Sequence, residues 1–214
     1  MVRFNLINQE KNDMQVRHYL FLGIAILIGF SATVGVLIST KRHTFQGSLI
    51  ENPAPAADFE LVDRDGQPYR LRDQKGNVVL AFFGYTHCPD VCPVTLSDFG
   101  KIRTRLGDRA ERVEFVFITT DPERDTPEQI NRYLSNFDAE IQGLTGQEQD
   151  LEKVWNAYGV YRELVDQQEP ENYLVDHTAR VYLIDQRGNL RVTYTFGTES
   201  EGIAADVSFI LKEN

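Results

Sequence analysis

Cysteine is nearly absent from this chain, with two among 214 residues, at positions 88 and 92. They supply at most one disulfide, and a bridge between them closes a very small loop that constrains the unfolded chain little. Basic residues are in deficit as well. The chain holds 22 Lys and Arg against 32 Asp and Glu, of which 3 and 2 precede residue 41, so the part from Lys41 onward carries a formal charge of −11. Such a surface repels nucleic acid and argues against a nucleic-acid partner. No block of basic residues follows Arg42, which removes the usual basis for a second membrane-surface site. Internal repeats and low-complexity tracts are missing too. At this length, with 42% hydrophobic residues, the expectation is one domain with a full core and something extra.

The extra part is the single long apolar run. Tyr19 to Thr40 is 22 residues without a charged side chain, long enough to span a bilayer as a helix. A cleavable signal peptide has a shorter apolar region, about 7 to 15 residues, ending at a small-residue cleavage site; here Lys41, Arg42 and His43 follow the run. Arg3, Lys11 and Arg17 before the helix outnumber Lys41 and Arg42 after it, which places the short tail in the cytoplasm. The expected organisation is a cytoplasmic tail at 1–18, a transmembrane helix at 19–40, a linker at 41–56 rich in Pro and Ala, and a folded domain at 57–214. Glu10 and Asp13 spoil any mitochondrial transit pattern, so the expected location is a bacterial inner membrane with the domain in the periplasm.

Within the domain, Phe59 to Val62 and Pro68 to Leu71 flank Asp65-Gly66 and predict a leading hairpin. Asn77 to Tyr85, Val113 to Thr120 and Arg180 to Asp185 are nearly continuous apolar runs, as in strands covered on both faces. Helical spacing appears in Leu96, Phe99, Ile102 and Leu106, then in Ile130, Tyr133, Leu134 and Phe137, and again in Leu151, Val154, Trp155 and Tyr158. Gly188-Asn189 predicts a closing hairpin into Leu190 to Phe196, followed by a last helix over Ile203 to Lys212. This order predicts an α/β domain of the thioredoxin-like type, a mixed central sheet flanked by helices.

Both cysteines lie in Gly84-Tyr85-Thr86-His87-Cys88-Pro89-Asp90-Val91-Cys92-Pro93, which leaves the first central strand and opens the first helix. Open α/β sheets carry their sites at such strand ends. Residues four apart on a helical turn face one way, so both sulfurs can meet one ion or each other. Pro93 suits a first helical position, with Cys92 near the N-cap, and thiols at a helix start have lowered pKa values. His177, in Val175-Asp176-His177-Thr178-Ala179-Arg180 before the third central strand, is the nitrogen donor expected beside them. His87 is turned away by its adjacency to Cys88, and His18 and His43 flank the membrane run. Two thiolates and an imidazole suit copper, which accepts low coordination as Cu(I), although the residues alone leave zinc open. A thiol-disulfide oxidoreductase, a peroxidase of the peroxiredoxin type and an inert disulfide are the competing readings.

These segments, with Asp121-Pro122-Glu123-Arg124-Asp125-Thr126-Pro127 and Asp176-His177-Thr178 followed by Tyr182-Leu183-Ile184-Asp185, closely resemble the Sco (SenC) family from about Ala57 to the C-terminus. The resemblance implies a thioredoxin-like metallochaperone holding one copper ion, Cu(I) or Cu(II), through Cys88, Cys92 and His177. It also implies delivery of that ion to the CuA-bearing subunit of cytochrome c oxidase, after receipt from an upstream copper donor. Asp121 matches an acidic residue near the family's site, with a role in metal transfer or as a turn former before Pro122. Enzymatic activity is not implied, apart from an auxiliary reduction of the CuA cysteines through Cys88 and Cys92. Two features set the chain apart from a thioredoxin: its cysteines are one residue further apart than Cys-x-x-Cys, and Ala179 stands where thioredoxins carry a cis-proline.

Overall fold

The computed structural model describes residues 43–137, 140–165 and 173–213, with Arg17, Leu20, 22–27 and 29–30 from the N-terminal part. Those N-terminal positions are helical, and Leu20, Leu22, Ile24, Ile26, Leu27 and Phe30 are exposed. Among the described residues no helix is long and apolar enough to cross a membrane. Much of the expected span at 19–40, including all of 31–40, lies outside the described residues.

From Phe45 onward the chain forms one unit around an eight-stranded sheet. Its strands are β1 (Ser48–Leu49), β2 (Glu60–Asp63), β3 (Pro68–Arg70), β4 (Val78–Gly84), β5 (Val113–Thr119), β6 (Gln142–Thr145), β9 (Arg180–Ile184) and β10 (Leu190–Thr195), in the order β1-β10-β9-β4-β5-β6-β2-β3. β4, β5 and β6 run parallel, whereas β9, β10 and β1 continue antiparallel on one side and β2 and β3 on the other. The helices are α1 (Val91–Leu106), α2 (Pro127–Leu134), α3 (Glu148–Ala157) and α4 (Ser200–Ile210). β7 (Arg162–Val165) and β8 (Leu174–His177) form a separate antiparallel pair.

The alternation of side chains along β4 divides the core. Val78, Leu80 and Phe82 join the cluster of α1, α2 and α4, while Val79, Ala81 and Phe83 join Trp155 and Tyr158 at α3. Every residue of β4 is buried, as its unbroken apolar run requires.

Three expectations are corrected. The segment 41–56 was to be a linker, yet from Phe45 it is packed onto the domain. Phe45 meets Phe209 edge to face at 5.6 Å, the Gln46 N–H donates to the buried Asp206 carboxylate at 2.9 Å, and β1 pairs with β10. Pro and Ala at 53–57 read as a spacer because so few side chains there carry a pattern, but their backbone groups reach the turn after β9, as in Ala56 N–H to Gly188 O at 2.9 Å. Second, the hairpin β2–β3 does more than lead in, because β2 pairs with β6 and closes the sheet. Third, α1 starts at Val91 rather than Pro93; a third-position proline is tolerated because its missing N–H would have had no intrahelical partner. The segment before α2 behaves as expected. Thr126 accepts from the Gln129 N–H at 3.2 Å, with Pro127 at the first helical position.

β6, which the sequence pattern did not reveal, depends on Gly143. A Cβ there would lie 2.2 Å from Cγ2 of Ile130 and 2.7 Å from Cδ1 of Leu134, both buried on α2. The substitution Gly143→Ala should therefore overpack the α2–sheet contact and lower stability by about 1–3 kcal/mol, read as a lower urea midpoint at unchanged slope. A midpoint equal to the parent's would show that α2 does not sit this close.

Candidate metal centre

Gly84 ends β4, and its carbonyl accepts the Thr120 N–H at 2.7 Å, which fixes the start of the cysteine turn against the end of β5. A side chain is impossible at this point: a Cβ on Gly84 would stand 2.7 Å from the Cys92 sulfur and 2.9 Å from the Phe82 ring. The turn then folds back, with Cys88 N–H on Tyr85 O at 3.2 Å, and enters α1. Asp90 is the N-cap residue, but its side chain caps nothing. The Cys88 sulfur takes that place by accepting the Cys92 N–H at 3.5 Å.

Cys92 is fully buried and Cys88 half-buried, and both are free thiols. His177, the last residue of β8, brings its Nε2 to 3.9 Å from the Cys92 sulfur. The ligand atoms of Cys88, Cys92 and His177 all lie within 4.8 Å of one another, and this is the trio of potential metal-binding side chains found among the described residues. Bonds of about 2.3 Å to sulfur and 2.0 Å to nitrogen, set near 120° apart, would hold two ligand atoms roughly 3.7 Å apart. The observed spacing therefore fits one ion. The imidazole is also turned correctly. Its Nδ1 lies 3.3 Å from the Thr178 carbonyl, which can only accept, so a proton placed on Nδ1 frees the Nε2 lone pair for an ion between the sulfurs. Tyr85 and Phe82 pack edge-on against the ring at 5.9 and 6.3 Å between centroids.

The two thiols differ. Cys88 is held well below the ordinary thiol range, first because the Cys92 thiol donates to its sulfur, and further by His177 and by the backbone N–H groups of Asp90 and Cys92. Cys92 is pushed up by that same hydrogen bond to Cys88 and by burial. Of the two, Cys88 is therefore the readier thiolate in the metal-free pair.

His87 stays apart from the trio. Its side chain is 42% exposed and its Nδ1 rests 3.1 Å from Thr86 Oγ1. Asp121 is fully buried, but its carboxylate faces Arg124 Nε at 2.5 Å and the Tyr173 hydroxyl at 2.7 Å rather than the sulfurs. Sequence reasoning missed Asp125. Buried beside the cysteine turn, it accepts from Thr86 N–H at 3.0 Å, Thr86 Oγ1 at 2.6 Å and Thr119 Oγ1 at 2.7 Å, and burial raises its pKa. The available signal was a second Asp four residues after Asp121, within one Pro-flanked loop.

The folded part of the chain is similar to known proteins. The SCO1/SenC family model matches residues 48–212. An SCO2-like protein of Rickettsia felis is 37% identical over 171 residues, covering 77% of this chain and 83% of its own. The structure of Bradyrhizobium japonicum ScoI with copper bound is 39% identical, with a TM-score of 0.68, and the match covers 74% of this chain and all of that one. BsSco, described as a member of the Sco family of cytochrome c oxidase assembly proteins and as carrying a disulfide switch, is 25% identical at a TM-score of 0.59, over 77% of this chain and 99% of that one.

The inequality of the thiols has a direct readout. In reduced, metal-free protein, iodoacetamide should label Cys88 at a rate that stays flat as pH falls through the ordinary thiol range, since its thiolate persists there. Cys92 should remain unlabelled until the protein is denatured. Equal labelling of both residues, resolved by peptide mass spectrometry, would contradict the assignment of the charge.

Proposed function

Because this chain belongs to the SCO1/SenC family, we propose that it is a copper metallochaperone that carries one ion on Cys88, Cys92 and His177 and delivers it to the CuA centre of cytochrome c oxidase. The observation that carries this reading is the convergence of two sulfurs and one imidazole nitrogen within 4.8 Å of one another at the start of a helix. Soft thiolates with one imidazole suit copper in either oxidation state, and a three-donor set suits Cu(I) in particular. The ion is cargo, so the site must hold it and also let it go.

The residues divide that work. Cys88 offers a thiolate already formed. Cys92 must give up its proton on binding, so uptake releases a proton and tightens as pH rises. His177 contributes Nε2, with Nδ1 turned to the Thr178 carbonyl. Oxidation of the two sulfurs by a partner disulfide, which would take up the two electrons and become two thiols, would remove both soft donors at once and leave the imidazole alone, which is a route to release.

A second reading draws on the unequal thiols. A half-exposed thiolate backed by a buried thiol is the arrangement of a dithiol reductant. Cys88 would attack a partner disulfide and expel one partner thiolate. Cys92 would then displace the other, leaving the partner reduced by two electrons and Cys88 joined to Cys92. Reduction of the CuA cysteines before copper arrives would place both activities on one partner.

The proposed location is a bacterial inner membrane, held by residues 19–40 with the domain in the periplasm. Full-length protein should stay in the membrane fraction through an alkaline carbonate wash, while protease added to the outer face removes the domain; recovery in the wash would sink the anchor.

Copper binding by the reduced protein should reach one ion per chain, and Cys88→Ser or Cys92→Ser should lose the competition against a Cu(I) chelator. His177→Ala should cost Cu(II) affinity at least the roughly 10–100-fold that loss of an outer partner costs a metal site. Its effect on Cu(I) should be smaller, because two thiolates remain. Intact Cu(II) affinity and oxidase assembly in His177→Ala, with assembly destroyed in Cys88→Ser, would falsify the copper carrier and favour the reductant.

A further inference from the structure

His177 stands on a hairpin with no ladder to the main sheet among the described residues, because β7 and β8 pair only with each other. Its position opposite the sulfurs therefore depends on what fastens that hairpin. Tyr173, Val175 and His177 alternate with exposed Leu174 and Asp176, so the three share the inward face of the strand. Val175 is buried in the core of α1 and α4. Tyr173, at the far end, is fastened by polar contacts.

Those contacts converge on one ion pair. The Tyr173 hydroxyl donates to Asp121 at 2.7 Å, Arg124 Nε binds the other Asp121 oxygen at 2.5 Å, and Arg124 Nη1 donates to the Tyr173 carbonyl at 3.0 Å. The guanidinium also lies over the Tyr173 ring at 3.5 Å from its centroid, and 5.9 Å from that of Tyr85, the ring that packs on His177. The other strand is tied to the same loop, since Arg162 Nε donates to the Thr120 carbonyl at 2.7 Å.

Resting on the copper reading above, we propose that Asp121, Arg124 and Tyr173 form a clasp that sets the position of His177, which makes Tyr173 and Arg124 positioning residues for the metal. The clasp touches none of the three donors. It bears on the imidazole more directly than on the sulfurs, because Cys88 and Cys92 arrive from β4 and α1 on a turn whose Thr86 is held by Asp125. Both oxygens of Asp121 are occupied by the clasp, which gives that residue a task with no direct contact to the ion.

Tyr173→Phe in the full chain is the test, since it deletes one hydroxyl and keeps the ring under Arg124. Loss of a hydrogen bond to a charged group should make amides of Leu174–His177 in the metal-free protein exchange about tenfold faster or more, with those of Val78–Gly84 unchanged. In the Cu(II) form, Tyr173→Phe should weaken the imidazole nitrogen splitting in the electron paramagnetic resonance spectrum and lower Cu(II) affinity about tenfold, with less change for Cu(I). Parent-like exchange and splitting in Tyr173→Phe, beside a loss of splitting in His177→Ala, would overturn the clasp and leave the copper site standing. Faster exchange in both segments would overturn it as well, since that marks global loosening. If His177→Ala matches the parent, the ligand assignment fails and the exchange of Leu174–His177 alone decides whether the clasp holds the hairpin.

Discussion

The interaction on which the rest depends is the seating of one buried carboxylate, Asp125, at the carboxyl ends of β4 and β5. Burial raises its pKa, so the ionised form is costly there unless donors surround it. Thr86 and Thr119 supply three hydrogen bonds to it, from one backbone N–H and two hydroxyls. One of those threonines opens the cysteine turn and the other closes β5. The same loop, through Thr120 and Asp121, also receives the hairpin that bears His177. A single stretch of seven residues thus brings together ligands that are 85 positions apart in the chain.

Much of this was legible in the sequence, for identifiable reasons. β4 announced itself as an unbroken apolar run because both of its faces are covered, and α2 because Thr126, Pro127 and Gln129 mark its start. Cys88, Cys92 and His177 could be singled out because thiols are so scarce and because the turn and hairpin segments resemble a known family. What stayed hidden follows from length and from polarity turned inward. β6 has four residues, one of them a glycine kept for packing rather than conformation, and β7 and β8 alternate in too short a register to separate from loop. Asp121 and Asp125 look alike in the sequence, yet one anchors an arginine and a tyrosine while the other anchors two threonines; only the fold distinguishes them.

The trio also shows why a copper carrier and a dithiol reductant are so close in structure. Copper uptake needs two sulfurs and a nitrogen facing one point, and disulfide exchange needs one exposed thiolate beside a protected thiol. The closeness of the two sulfurs serves both, because one ion can bridge them and a partner disulfide can take up two electrons as they join. The imidazole belongs only to the first activity. That is why the attachment of its hairpin bears on the proposed copper carriage and not on the proposed dithiol exchange.

The Cys88 sulfur does one more thing, since it accepts the Cys92 N–H where a serine or aspartate oxygen would ordinarily cap α1. The redox or binding state of this atom is therefore written into the backbone of a sixteen-residue helix. A negative sulfur matches the positive end of the helix dipole, whereas a sulfur bonded elsewhere leaves an amide at the helix start without its acceptor. Capture of that sulfur in a disulfide would take the acceptor from the first turn of α1, which lies beside exposed Val94. The dithiol and disulfide forms would then differ at the start of a helix as well as in charge.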